Sequence, residues 1–301
     1  MGCYFSGHLV KLPFKPLLLV LGLAATAYAV ALFFFTEQPL PGLLSFASVQ
    51  AALLCVTSYV LRGLRWRLWL AHYGRTLPLM QGLRLYVAGY TFTPTPGNVG
   101  EALRGLLLKP PLSGAHSVSI FGAERLADLL CLLLLAGPAA YFFLSPAVLV
   151  IFIAACFVFG GGIFFLRKPL CKRLPWLTPA WHCLSRNAAV WLALTLSAWA
   201  LQGVAVWLLC VQAGVSITLV QASSFYALAM VGGALSMLPA GLGGMEVLLV
   251  GLLLAHGATT NIATSITVVV RVLTLWLAVG LGALSLFYSA FIRKEIHVTS
   301  T

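Results

Sequence analysis

Thr93-Pro94-Thr95-Pro96-Gly97-Asn98-Val99-Gly100-Glu101 and Leu238-Pro239-Ala240-Gly241-Leu242-Gly243-Gly244-Met245-Glu246 each interrupt a long apolar stretch, the first near 79–108 and the second near 217–257. Proline removes a helical hydrogen bond, and repeated glycine lowers helix propensity. Each stretch therefore predicts two short helices that enter a membrane, turn and leave on the same side, in place of one crossing helix.

The surrounding chain supplies the membrane setting. Of 301 residues, 61% are hydrophobic and 8% charged, against about 25% charged in soluble domains. Lipid is the solvent that tolerates this composition, because helices satisfy their own backbone hydrogen bonds there. Uninterrupted apolar runs near 17–35, 43–61, 117–136, 147–166, 187–211 and 261–290 meet the need for about 20 residues per crossing. The formal charge of +12 would suggest nucleic acid on a soluble protein. Here the bases cluster at the ends of apolar runs, so they indicate topology and anionic lipid, and nucleic acid is excluded as a partner. The seven cysteines contain no CxxC pair, and neither a disulfide framework nor a zinc site is expected.

Charge placement sets the topology. With the N-terminus inside, six spanning helices and two re-entrant hairpins bring Lys11 and Lys15, Arg62 to Arg84, Lys109, the Arg167–Arg173 bases and finally Arg293 and Lys294 all to the cytoplasmic face, as the positive-inside rule demands. If both broken stretches crossed fully, the Arg167 cluster would fall outside. The fold expected is an all-α polytopic membrane protein with both termini inside, forming one membrane domain over 1–301.

The halves repeat. Leu61, Gly63, Gly74, Leu79, Gln81 and Tyr86 recur as Leu201, Gly203, Gly214, Leu219, Gln221 and Tyr226 at an offset of 140. After a five-residue shift Pro94 matches Pro239 and Glu101 matches Glu246, and further on Arg125 matches Arg271. Residues 43–136 and 187–290 thus each read helix, broken hairpin, helix. With hairpins entering from opposite faces this is an inverted repeat, a transporter design that binds substrate where broken helices meet.

Four of the six acids, Glu101, Glu124, Asp128 and Glu246, lie in apolar stretches, where each ionised group costs roughly 3 kcal/mol on insertion scales. Arg104 is one turn from Glu101, Arg125 adjoins Glu124 and Asp128, and Glu246 has no base within four residues on either side, Arg271 being its best candidate partner. Two readings stand. In the structural one, Asn98 with Glu101 and Gly243 with Glu246 have capping-box spacing, and the ion pairs hold helices together. In the functional one, helix N-termini at Asn98 and Gly243 offer N–H groups to an anion, and Arg104, Arg125 and Arg271 bind phosphate; the acids instead receive a cationic headgroup or carry protons. Arg62, Arg65, Trp66 and Arg67 mark the inner end of the second helix, either as an interfacial anchor or as a headgroup docking site. The stretch 175–182 reads as interfacial. No HExxH or Asp-rich motif is present, so no metal, cofactor or enzymatic activity is expected.

These motifs resemble a known family: the transmembrane domain of bacterial lysylphosphatidylglycerol synthases and the stand-alone flippase-like proteins related to it. The resemblance rests on Arg65-Trp66, on Pro96-Gly97 leading to Gly100-Glu101 and Arg104, on Glu124-Arg125 with Asp128, and on Pro239, Gly241, Gly243 and Gly244 leading to Glu246. Asn98 and Met245 stand where members commonly carry Arg, which bears on headgroup identity. The resemblance implies a stand-alone member without the soluble synthase domain, in the bacterial inner membrane. Its implied function is translocation of a lipid, either a phospholipid or a lipid-linked sugar with an anionic or zwitterionic headgroup, between leaflets. The alternative is an ion- or proton-coupled transporter of a small soluble solute. Proton coupling and a homo-oligomer are compatible with either reading.

Overall fold

The computed structural model describes residues 45–95, 97–143, 150, 154, 167–174, 177–236 and 238–298. The apolar runs expected at 17–35 and 147–166, and Pro96, lie outside the described residues, apart from Val150 and Ala154. The described residues are helical: α1 Phe46–Ala71, α2 Leu79–Ala88, α3 Gly114–Phe143, α4 Arg167–Arg173, α5 Leu177–Ser185, α6 Ala188–Gln212, α7 Leu219–Leu235, α8 Gly244–Ala255, α9 Thr260–Arg271 and α10 Leu277–Val298. Two 3-10 segments, Gly89–Phe92 and Val99–Leu107, come after α2, and a π turn, Val272–Trp276, joins α9 to α10. Phe46–Ala71, Ala188–Gln212 and the continuous run Thr260–Ser289 are long and apolar enough to cross a membrane. Helix α3 has 30 residues and carries Glu124, Arg125 and Asp128.

The bundle turns its polar groups inward. On α1, Phe46, Val49, Leu53 and Val56 form an exposed apolar stripe, while Ser58, Arg62 and Arg65 on the opposite side are buried. That is the polarity required of a helix with lipid on one side and protein on the other. Arg65 and Arg104 stand with Trp66 and Trp69 among the largest fully buried side chains.

Helices α1 and α6 pack antiparallel at the centre. At one end Ser45 Oγ donates to Gln212 Oε1 at 2.8 Å; toward the other, Trp69 meets Trp191 with ring centroids 6.2 Å apart. The connections that leave α1 and α6 therefore lie at opposite ends of the bundle. Both broken stretches fold back on themselves. The first hairpin, α2 to the Val99–Leu107 segment, departs beside Tyr73 and returns to α3, where the His116 ring lies 4.8 Å from Tyr73. The second, α7 and α8, departs beside Ser216 and returns to His256, whose Nε2 is 3.1 Å from Ser216 O. Each hairpin thus leaves and returns at one end of the bundle. Helices α7 and α8 have 17 and 12 residues, each short of the roughly 20 that a crossing needs. The halves also clasp each other: α10 lies along the first hairpin, with Ser285 Oγ donating to Arg84 O at 2.8 Å, and α3 packs on α7.

Two expectations are corrected here. The apolar pattern ends the second helix at 61, with Arg62 to Arg67 at its mouth; in the structure α1 runs on to Ala71. The arginines do not end it because each is accommodated inside the protein: Arg65 pairs with Asp128, Arg62 lies over the Trp199 ring and Arg67 donates to Leu77 O. The capping box expected at Asn98 is absent: Asn98 is left-handed (φ 56°) and its side chain caps nothing, and Glu101 turns to Thr93, whose Oγ1 donates to Glu101 Oε1 at 3.0 Å. Beyond Asn98 the chain winds into a nine-residue 3-10 helix, long for a form usually confined to three or four residues.

The tip of the second hairpin depends on Gly241 (φ 65°), where an added Cβ would lie 3.0 Å from Gly233 O and 3.1 Å from its carbonyl carbon, both backbone atoms. Gly214 also has a positive φ (78°) but meets nothing within 4 Å. Gly214→Ala is expected to cost about 1 kcal/mol from backbone conformation alone, and Gly241→Ala distinctly more. Thermal unfolding of the two variants in detergent checks this; equal losses would mean that the tip is not packed on α7 as described.

Candidate functional site

Six charged side chains from three segments converge inside the bundle. Arg65, on α1, donates from Nη1 to Asp128 Oδ1 at 2.7 Å and to Thr195 Oγ1 of α6 at 2.9 Å, and its Nη2 lies 3.9 Å from Glu124 Oε1. Arg104, on the 3-10 helix, pairs through Nη2 with Glu124 Oε2 and lies 3.5 Å from Glu101 Oε2. Arg125, on α3, reaches Asp128 Oδ2 at 3.1 Å and Glu101 Oε2 at 3.5 Å. The Trp199 indole N–H of α6 donates to Asp128 Oδ1 at 3.3 Å. Of the six, only Arg125 is appreciably accessible, at 30%.

Magnitude explains why they are together. Six separate charges at roughly 3 kcal/mol each would total on the order of 20 kcal/mol, more than the whole stability of an ordinary domain, about 5–15 kcal/mol. Three guanidiniums against three carboxylates neutralise one another locally, and that neutrality permits the burial.

The second hairpin has its own smaller cluster. Arg271, at the end of α9, donates from Nε to Glu246 Oε1 at 2.6 Å and from Nη2 to Ala240 O at 3.1 Å. Glu246 Oε2 in turn accepts the Gly243 N–H at 2.8 Å, so the N-cap contact expected from that spacing is present. Pro239, Gly241, Gly243 and Gly244 build the tip on which this carboxylate is aimed. Residues matched between the halves make matched contacts: Glu101 with Arg125, Glu246 with Arg271.

Three placements depart from the sequence reading. Arg62, Arg65 and Trp66 are 7%, 0% and 2% exposed and lie inside the bundle; Arg67 alone of that group turns outward, its Nη2 donating to Leu77 O at 2.6 Å. The helix N-termini expected to serve as anion sites have their N–H groups engaged: Gly100 donates to Thr95 Oγ1 at 2.8 Å, Glu101 to Asn98 O at 3.0 Å and Gly243 to Glu246. Gly97 and Asn98 form the tip of the first hairpin and reach none of the buried acids through a side-chain bond. Thr93, Thr195 and Trp199 join the site without having stood out in the sequence. A Thr and a Trp four residues apart in an apolar run carry no charge signal, and only the fold reveals that Thr195 meets Arg65 and Trp199 meets Asp128.

An apolar exterior, spanning helices and inward-facing ion pairs define an integral membrane protein of the multi-helix type. The lysylphosphatidylglycerol synthase TM region family matches residues 17–282, and the chain belongs to that family. It is also similar to a UPF0104 membrane protein of Methanothermobacter thermautotrophicus, 33% identical over 105 residues; the alignment covers 35% of this chain and 31% of that relative's length. No solved structure matches the chain.

Removing one partner of a buried ion pair leaves the other charge unanswered, at about 3–5 kcal/mol. Asp128→Asn, which faces Arg65, Arg125 and Trp199 at once, is expected to lose that much, whereas Arg67→Met is expected to lose under about 1 kcal/mol because its partner is a single half-buried carbonyl. Denaturation monitored by tryptophan emission ranks the two; the reverse order would remove Asp128 from the centre of the network.

Proposed function

We propose that this protein is a transporter, not an enzyme, which moves a lipid between the leaflets of a cytoplasmic membrane while the headgroup passes between its two hairpins. On this reading the fold is six spanning helices plus two re-entrant hairpins, with both termini inside, and residues 43–136 and 187–290 form an inverted repeat. One observation carries it: the hairpins start from opposite ends of the antiparallel α1–α6 pair, each returns to its own end, and each ends in ion pairs buried between helices. Arms too short to cross the bilayer, with polar groups at their breaks, are the substrate-binding device of inverted-repeat transporters. Membership of a family whose name refers to lysylphosphatidylglycerol synthesis supports a lipid as cargo.

The ion pairs supply the two-state element that transport needs. Glu101 and Arg104 move with the first hairpin, and Glu124, Arg125 and Asp128 stay on α3. A small displacement of the hairpin exchanges Arg104 and Arg125 among three carboxylates without leaving any charge unpaired. Glu246 and Arg271 give the second hairpin the same latch. A headgroup bearing both charges competes for these partners and opens the contact, and the acyl chains remain in the bilayer.

Reconstitution into liposomes with a panel of labelled phospholipids and lipid-linked sugars tests this. Wild-type protein is expected to move at least one of them, and Glu101→Gln and Glu246→Gln to slow that movement at least about tenfold. If both variants match wild type on every lipid moved, the hairpin acids have no part in transport. If no lipid moves but a soluble solute is taken up, the cargo is assigned wrongly.

A further inference from the structure

Arg104, Arg125 and Arg271, the arginines expected to hold a phosphate, are already paired with carboxylates, whereas the buried Arg62 has no such pair among the described residues. Within the first cluster Arg65, Arg104 and Arg125 account for all three acids, Glu101, Glu124 and Asp128, and Arg62 stands beside that neutral set as a further guanidinium. Arg62 is 7% exposed, no described carboxylate lies within ion-pair distance of it, and its Nε and Nη2 atoms are buried and donate to nothing among the described residues. Those two atoms form one edge of the guanidinium, the edge whose parallel N–H groups fit two oxygens of a phosphate or carboxylate. The flat face is supported instead: the Arg62 guanidinium carbon is 3.9 Å from the Trp199 ring centroid, a cation–π contact that fixes the plane and leaves the edge directed elsewhere.

Position adds to this. Arg62 lies nine residues before the end of α1, about 14 Å along the helix axis, well inside the bundle. The Trp199 ring that supports it donates its indole N–H to Asp128 at 3.3 Å and lies 6.3 Å, centroid to centroid, from the Tyr226 ring of the second hairpin. Arg62 therefore stands between the two hairpin clusters. The repeat underlines the asymmetry: at the 140-residue offset Arg62 matches Gln202, a neutral residue that accepts the Tyr226 hydroxyl at 2.8 Å.

We infer that the Nε–Nη2 edge of Arg62 is the anion subsite of the protein, taking two oxygens of a phosphate carried by the cargo. This rests on the transport reading for the source of the phosphate, but the anion site itself does not. Because both edge atoms are shut off from solvent here, the phosphate reaches them only when a neighbouring helix or hairpin moves aside.

The test uses the full chain in a phosphate-free maltoside detergent. Three probes are titrated by calorimetry: dihexanoyl phosphatidylglycerol, dihexanoylglycerol with the same chains but no phosphate, and inorganic phosphate. Wild type is expected to bind the phospholipid at least about tenfold more tightly than the diglyceride, and Arg62→Gln to lose that preference. Arg62→Lys, which keeps the charge but not the parallel donors, is expected to fall between them and serves if the Gln variant does not fold. Inorganic phosphate binding as tightly as the lipid, and lost with Arg62, supports the subsite and assigns it to a free anion. A wild type that does not distinguish phospholipid from diglyceride, or a folded Arg62→Gln that still does, overturns the subsite. Lipid movement by wild-type liposomes is scored separately. If wild type moves lipid while Arg62→Gln keeps its binding preference, the subsite falls and the transport reading stands. An Arg62-dependent preference without lipid movement upholds the subsite and removes the transport reading.

Discussion

Asp128 accepts Arg65 from α1, Arg125 from its own helix and the Trp199 indole from α6, and much of the bundle is organised by the need to satisfy that one carboxylate. Charge in hydrocarbon is costly unless the protein answers it, because lipid offers neither counter-ion nor hydrogen bond. The consequence spreads outward. Arg65 fixes how far α1 continues past Arg62, Glu124 draws Arg104 and with it the first hairpin against α3, and Thr195 with Trp199 sets the rotation of α6. Neutrality of the set is a stronger constraint than any single distance. The partners can be exchanged, but no member can be lost without leaving a buried charge behind.

Under the proposed function, the same constraint links structure to movement. A hairpin held by apolar packing alone would slide through many similar positions. One held by charge pairs has few, each separated by the penalty of an unpaired ion, and an element with few discrete positions is what alternating access requires. The clasp between halves, α10 along the first hairpin and α3 along α7, means that neither hairpin shifts without pressing on helices of the other half. The π turn at Val272–Trp276, directly after Arg271 and held by the Tyr59 hydroxyl donating to Leu273 O at 3.0 Å, marks where the second cluster meets α1.

How much of this is written in the residues differs from feature to feature. The two breaks are legible because proline and glycine act locally. The Glu246–Arg271 pair is legible because a lone acid and a lone base in apolar surroundings must find each other. The end of α1 is not. Arg62, Arg65 and Arg67 look like the charged mouth of a helix to any reasoning that counts neighbours along the chain, and the acids that answer Arg65, namely Glu124 and Asp128, lie on a distant helix. Nor is the 3-10 form of Val99–Leu107 legible, since its sequence suits an α-helix and the tighter winding comes with its packing between Thr93 and α3. Thr195 and Trp199 carry no charge and give no signal until the helices are in place.

The proposed transport function depends most on the hairpins approaching from opposite sides of the bilayer, since an inverted repeat requires it. Thr76 and Ser216 are matched by the 140-residue offset, and each lies in the connection where a hairpin departs. Thr76→Cys and Ser216→Cys, labelled with a membrane-impermeant maleimide in sealed vesicles of known orientation, should react from opposite faces. Labelling of both from one face would contradict the mechanism, because the two hairpins would then share a side and the inverted arrangement would not exist.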